Sequence, residues 1–377
     1  MAGRRHHVLA SLVAVALLVA TPAVALAGTV VTWGDNTYGQ LGDGTFTRRL
    51  TPVNVKGLSG VIELHGGREH VIALKGDGTV WTWGRNMYGQ LGIGSTTNKN
   101  TPVQVPGITN AIQVTTGHYN SYALLADGTV RAWGWNTYGT IGDGTTTKRT
   151  SPVTVHNLDH VVEIAAGRDH ALAVKDDGTV WAWGYNAYGN LGDGTFTQRT
   201  QPVQVHVLTN IDHIAGGRDH SLALRHDGTV WAWGYNQGGE LGDGTKTNRN
   251  EPVQTRTITD AIDIAAGANH SLAIRSDHTL WAWGRNNYGQ LGVGTSTGSY
   301  ASPVRVSSLS NVAEVGAGRQ HTIVVLNDGS VWTFGQNDMG QLGDGTLTTR
   351  RSPVRVSGVS GAVESAGGRG YSVVLIG

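Results

Sequence analysis

Trp33-Gly34, Trp83-Gly84, Trp133-Gly134, Trp183-Gly184, Trp233-Gly234 and Trp283-Gly284 recur at intervals of 50 residues, and Phe334-Gly335 follows at 51 after one residue is inserted near Tyr300. Each pair opens a Trp-Gly-x-Asn segment and a Gly-rich loop, as in WGDNTYGQLGDGT from Trp33 and WGYNAYGNLGDGT from Trp183. A repeat of about 50 residues cannot bury a core alone, so its copies must stack or close on one another. Residues 28–377 hold seven such copies with little left over.

Within a copy the apolar pattern is short and alternating, bounded by Gly, Pro and Asp-Gly turns, which predicts strands and excludes long helices. In the third copy the expected strands are Val161–Ala166, His170–Val174, Thr179–Trp183 and Pro202–Val205, designated A to D from the inside outwards. Asp177-Gly178 is a two-residue hairpin signal, because both residues accept positive φ at low cost. Four short antiparallel strands repeated seven times predict an all-β, closed seven-bladed β-propeller. The repeat begins in strand C (Thr29–Trp33) and ends in strand B (Tyr371–Ile376), so neither end holds a whole unit. Pairing the C-terminal A and B strands with the N-terminal C and D strands completes the last blade and leaves no open edge between first and last.

The chain divides into residues 1–27, read as a signal peptide, and the propeller of 28–377. Arg4, Arg5, His6 and His7 precede an apolar run from Val8 to Ala20, and Ala25-Leu26-Ala27 supplies a small-x-small cleavage site. The expectation is a secreted protein, extracellular or in the cell envelope, with no membrane span after cleavage. Without the leader, 26 Lys+Arg face 27 Asp+Glu, a net charge of −1 that favours neither nucleic acid nor acidic lipid. There is no cysteine, which excludes disulfides, thiolate metal sites and a thiol nucleophile.

Most recurring residues have packing roles. Trp181 and Trp183 share one face of strand C and should fill the space between blades. Ala165-Ala166-Gly167 suits an innermost strand where seven strands converge. Asn36 and its equivalents in all seven copies are expected to satisfy loop backbone groups. His70, His170, His220, His270 and His321 recur at the start of strand B; a catalytic histidine occurs once, so this recurrence points to a hydrogen-bonded core role. Arg49, Lys99, Arg149, Arg199, Arg249 and Arg350 are expected to pair with the GDGT aspartates.

With WGxNxxGQLGDGT and GxxHSLAL both present, the chain resembles the regulator of chromosome condensation repeat family over residues 28–377. The resemblance implies a seven-bladed propeller that binds proteins rather than catalysing bond chemistry. The family's functions include nucleotide exchange on the small GTPase Ran, UV-B reception in plants, and secreted inhibition of bacterial β-lactamases. The photoreceptor's Gly-Trp-Arg-His loops are absent here, where Gly167-Arg168-Asp169-His170 is typical, and the aromatic loop positions of the inhibitors are mostly charged.

In an up-and-down blade the A-to-B and C-to-D loops emerge on one face. The variable positions of the seven A-to-B loops are Arg68-Glu69, His118-Tyr119, Arg168-Asp169, Arg218-Asp219, Ala268-Asn269, Arg319-Gln320 and Arg369-Gly370. Five begin with arginine, predicting a crown of guanidinium groups near the axis, suited to protein hot spots or to carboxylate and phosphate. The alternative is that each arginine pairs with a neighbouring acid or stacks on a loop tyrosine. One blade departs from the pattern with His118, Tyr119, Asn120, Arg131 and Trp135; Tyr119 and Trp135 beside the crown would anchor a partner, unless the departures are drift. His65 is expected to face the channel. The favoured function is a secreted, monomeric, protein-binding propeller, an interaction or inhibitor module whose partner is a protein or an anionic polymer. The alternatives are an exchange factor-like regulator of a small GTPase and, less favoured, a propeller lyase or hydrolase. No catalytic residue, cofactor or metal site is expected, and each GDGT loop offers calcium only one aspartate.

Overall fold

A computed structural model describes residues 28–377; the leader read over 1–27 lies outside the described residues. Twenty-eight strands form seven four-stranded antiparallel sheets. Blades I to VI span 61–104, 111–154, 161–204, 211–254, 261–305 and 312–355. Blade VII is composite: its strands run Arg49–Asn54, Thr29–Gly34, Tyr371–Ile376 and Ala362–Gly367 from the outer edge inwards. The splice is in register over six residue pairs, from Thr29 opposite Ile376 to Gly34 opposite Tyr371. The expected closure of the ring is therefore what the chain adopts.

Strand bounds in blade III are Val161–Ala166, His170–Lys175, Val180–Gly184 and Arg199–Gln204. Thr179 belongs to the turn instead of strand C, because the Asp177 carboxylate takes both its N–H (2.9 Å) and its hydroxyl (2.6 Å). Strand D starts three residues earlier than expected. A register shift between Ala182 and Gly184 lets Arg199 pair with Gly184, upstream of Pro202, which has no N–H to offer the ladder. The inserted residue near Tyr300 lengthens the outer strand of blade V to Ser299–Arg305.

The buried apolar residues fall into seven clusters, each between two neighbouring blades. Trp183, fully buried, packs with Tyr122, Ile141 and Val155 of blade II. Phe334 fills the corresponding place between blades V and VI. Trp181 lies half-buried on the same face of its strand, with the Lys175 ammonium 4.8 Å from its ring centroid. The tryptophan bodies thus supply interblade area while their indole N–H groups find partners: Trp33, Trp83, Trp133, Trp183, Trp233 and Trp283 each donate to a loop carbonyl of the preceding blade at 2.8–3.0 Å.

Carbonyls at the same loop position also anchor the histidines. His70, His170, His220, His270 and His321 lie 2.8–3.1 Å from Ser121, Ser221, Ser271, Thr322 and Ser372 of the next blade. Each of these hydroxyls donates onward to the loop carbonyl, as Ser221 does to Asn190 (3.0 Å). The hydroxyl proton is thereby committed, so the histidine Nε2–H must be the donor to Oγ. Burial holds His170 down at about 3, which keeps the ring neutral. The Gly of Gly-x-x-His is required by close approach, since a Cβ on Gly167 would overlap the His170 ring.

Two interfaces lack this relay, and both partners change together. Asn120 is followed in the next blade by Ala171 where a hydroxyl is usual; there Tyr122 donates to the Thr140 carbonyl instead (2.7 Å). Tyr371 is followed by Val71, and the Tyr371 hydroxyl crosses the splice to the His70 (2.5 Å) and Gly67 (3.0 Å) carbonyls.

Candidate interaction face at the channel mouth

The A-to-B and C-to-D loops share one face, joined by backbone hydrogen bonds such as Arg85 N–H to Glu69 O (2.8 Å) and Asp35 N–H to Gly370 O (2.8 Å). The B-to-C and D-to-A turns meet on the other face, where 175–178 and 210–212 line a common recess. The C-to-D loops are held by the recurring asparagines. Asn36 donates to the Thr45 and Thr47 carbonyls and accepts from Leu41 N–H (2.9 Å). Asp43 is equally engaged: Asn36, Thr45 and Arg49 all donate to it. Burial works to raise its pKa, and the Thr45 and Arg49 hydrogen bonds overcome this and hold it below the ordinary value. Arg149, Arg199, Arg249 and Arg350 pair likewise with Asp143, Asp193, Asp243 and Asp344; Lys99 has no such acid, because its loop carries Ile93.

Around the axis the A-to-B loops clasp one another. Arg68 N–H donates to His118 O, His118 to Arg168 O, Arg168 to Gly217 O, Ala268 to Arg319 O, Arg319 to Gly368 O and Arg369 to Arg68 O, at 2.9–3.3 Å. This ring fixes the rim of a recess of about 330 Å³ lined by Arg68, His118, Arg168, Arg218, Arg319 and Arg369, with His65 deeper, bonded to Thr116 (2.8 Å). The five arginines are brought together as the sequence suggested, but they are not equivalent. Arg168 pairs with Asp169 and Asp219, Arg218 with Asp219, and Arg68, Arg85 and Arg369 all with Glu69. Among the described residues Arg319 has no carboxylate partner within 4 Å, and with Arg369 it is the exposed member of the ring. Glu69, Asp169, Asp219 and Asn269 are themselves buried, so their contribution to contact runs through the side chains they hold; Asn269 reaches Glu240. Gln320 is half-buried, its carbonyl accepting from Gln336 N–H (2.9 Å). His118 stays neutral, held down at about 2 by burial and then by Arg68, Arg168, Arg319 and Arg218.

The divergent blade places Tyr119 against His118 (ring centroids 4.4 Å apart), Tyr88 (4.8 Å) and Trp135 (6.5 Å), with Arg68 bonded to its hydroxyl. These contacts belong to a longer feature. From Trp135 the chain of rings continues through Tyr138 (5.2 Å), Tyr185 (4.8 Å), Tyr188 (6.1 Å) and Tyr235 (5.1 Å). Arg285 closes one end over Tyr235, and Arg85 bridges Tyr119 to Tyr38 at the other. The result is an aromatic arc running over blades I, II, III and IV, tied through Arg85 to Tyr38 at the edge of blade VII and open at blades V and VI. Sequence reasoning isolated Tyr119 and Trp135 but not the tyrosines. Their signal was the recurrence of an aromatic at the second and fifth positions after the repeat Trp, in Tyr185 and Tyr188 for example.

A second feature escaped the sequence reading. The third residue of each inner strand is Glu63, Gln113, Glu163, His213, Asp263, Glu314 or Glu364, a polar band shared by the seven innermost strands. The carboxylates bridge blades: Glu63 accepts Val114 N–H (3.1 Å), Glu163 accepts Ile214 N–H (3.2 Å) and Glu364 accepts Leu64 N–H (3.2 Å). Burial pushes Glu364 up to about 8 and Glu314 well above the carboxylate range. Burial opposes protonation of His213, but Glu163 and then Asp263 outweigh it and raise the imidazole to about 9. Among the described residues no group of three or more His, Asp and Glu is arranged to hold a metal ion.

No curated protein matches this chain. Among solved structures, Prp20p from Saccharomyces cerevisiae, described with its binding to Gsp1p and histones, superposes with a TM-score of 0.85 at 23% identity, over 94% of this chain and 92% of its own. Yeast Prp20 in complex with Kap60 gives 0.84 at 22% identity, over 98% and 96% of the two chains. Human WBSCR16 gives 0.83 at 24% identity, over 93% and 99%. At these identities the likeness is one of fold. The family itself is identified by sequence: the regulator of chromosome condensation (RCC1) repeat matches residues 27–74, 77–124 and 127–174, and the RCC1-like domain matches 153–376, more than half of the chain. The chain therefore belongs to the RCC1 repeat family, as a seven-bladed RCC1-like propeller with a spliced closing blade.

Proposed function

We propose that this protein is a regulator that acts by holding a partner protein against the loop face, without bond chemistry of its own. The observation that carries this reading is the aromatic arc around an arginine-lined mouth, built from the side-chain types that dominate protein hot spots and set on a rim fixed by backbone hydrogen bonds. Family membership favours one form of regulation, nucleotide exchange on a small GTPase, as does the similarity to Prp20p with its Gsp1p partner. The test is release of fluorescent GDP from small GTPases of the producing cell, with the full chain added and with Tyr119→Ala/Trp135→Ala as control. Accelerated release that the control loses supports exchange; no acceleration from any GTPase removes it.

A second reading rests on residues 1–27. A basic start, an apolar run and Ala25-Leu26-Ala27 favour export, which would make the partner extracytoplasmic and the mode of action binding or inhibition. Mass spectrometry of the protein from culture medium decides it: a mature N-terminus at Gly28 supports export, and an intact intracellular chain contradicts it.

A further inference from the structure

The loop face is electrically lopsided, and the imbalance lies where the aromatic arc is missing. Five guanidinium groups, Arg68, Arg168, Arg218, Arg319 and Arg369, line the mouth with Arg85 beside them, and only three carboxylates, Glu69, Asp169 and Asp219, pair with them. All three acids occupy the second variable position of their own A-to-B loops. In blades VI and VII that position is Gln320 and Gly370, so Arg319 and Arg369 have no acid within their own loop. Arg369 reaches across to Glu69 at 3.3 Å, but Glu69 already serves Arg68 and Arg85. Asp35, packed beside Gly370, is bonded to Thr37 and Gln40 and makes no ion pair within 4 Å with either arginine. Arg319 therefore has no carboxylate within 4 Å and Arg369 only a share in Glu69, and these two, at and beside the gap of the arc, are the most solvent-accessible arginines of the ring. The converging guanidiniums of Arg369, Arg68 and Arg218, after burial, lower the pKa of Arg319, as crowded like charges do.

We infer that Arg319 and Arg369 form the site that receives an acidic side chain, aspartate or glutamate, of the bound protein, while its apolar surface lies along the aromatic arc. This rests on the proposed protein-binding function and names the chemistry of the partner. The planar guanidinium fork matches a carboxylate in bidentate fashion. A free small anion would use the arginines and leave the arc uncovered. A protein covers both, and an acid opposite the gap sets the rotational register on a nearly sevenfold scaffold that otherwise offers similar loops. Tyr288, exposed on the neighbouring blade, borders the site without joining the arc.

The test is fluorescence-polarisation titration of the full chain with a labelled hexaglutamate peptide at low salt. Comparison is with Arg319→Gln/Arg369→Gln and with the charge-matched control Arg305→Gln/Arg355→Gln on exposed outer strands. The expected result is saturable binding by wild type and control, weakened at least 10-fold in the Arg319/Arg369 variant. Equal binding by all three proteins, or none by wild type, overturns the assignment, as does inorganic triphosphate binding more than 10-fold tighter than the peptide at the same residues. Because the peptide reads the arginine site directly, its failure is distinguishable from a failure of the exchange assay, which reads the whole face.

Discussion

Replacing Ser221 by Ala removes one oxygen from the interblade relay, and the structure says which group suffers. Asn190 O keeps its bond from Trp233 Nε1 (2.8 Å), but the His170 Nε2–H is left buried without an acceptor. Stranding such a donor costs about 1–3 kcal/mol. His170→Asn alone removes the ring and leaves the Ser221 hydroxyl bonded to Asn190. The double variant reproduces the Asn120/Ala171 pairing that the protein itself uses one interface earlier. The cycle should therefore be non-additive, with the double variant more stable than the sum of the singles by about 1–2 kcal/mol. Urea unfolding followed in parallel by tryptophan fluorescence and far-UV circular dichroism measures this, coincident transitions licensing a single free energy. Additivity within about 0.5 kcal/mol would refute the relay. A pH arm checks the same argument. His170 is held at about 3 when folded against 6.5 for the free side chain, so its contribution is intact above pH 6.5 and declines as pH falls below it. At pH 5 the unfolded state's proton uptake lowers wild-type stability by about 2 kcal/mol through this residue alone. The cost of His170→Asn should shrink by that amount between pH 7.5 and 5.

Three further outcomes are expected. Val207, 90% exposed with φ of 60°, holds a conformation its branched Cβ resists, so Val207→Gly should stabilise by about 1 kcal/mol, and a lower urea midpoint would contradict this. Deleting 29–54 removes the outer half of blade VII and the Trp33 indole from the blade VI interface; size-exclusion chromatography should show unfolded or oligomeric chains, and a monomer of unchanged stability would defeat the closure argument. Tyr119→Ala/Trp135→Ala should weaken partner binding at least 10-fold, about 1.4 kcal/mol or more, with a melting temperature close to wild type; a matching affinity would remove the arc from the account.

The repeat made the architecture readable because packing recurs with it: Trp183, Gly167 and His170 each have one role, met again in other blades. Even the composite blade was legible, since Thr29 begins in strand C and Tyr371 ends in strand B. What the sequence hid was pairing between copies. The joint change of Asn120 with Ala171, and of Tyr371 with Val71, is visible in the letters but acquires meaning only when strand B of one blade is seen to face strand B of the next. The arginines show the same limit. In sequence Arg168 and Arg218 belong to the crown on the same terms as the others, yet Asp169 and Asp219 bind them in partly buried pairs, so reversing their charge would strand carboxylates. Arg319 and Arg369 are the accessible ones, because their loops lack an acid. The band of Glu63, Glu163 and Glu364 was missed because a polar residue in a short strand reads as solvent-facing, whereas these carboxylates turn to the neighbouring blade and take backbone N–H groups of its inner strand.

The central claim is that the loop face, not its opposite, holds a protein. Photo-crosslinking reads this directly: benzoylphenylalanine is placed at Ala187, exposed beside Tyr188 on the loop face, or at Val207 on the turn face, and the full chain is irradiated in the cell that makes it. A discrete protein adduct from position 187 and none from 207 is the predicted result. Adducts from 207 alone, or equally from both, would contradict it.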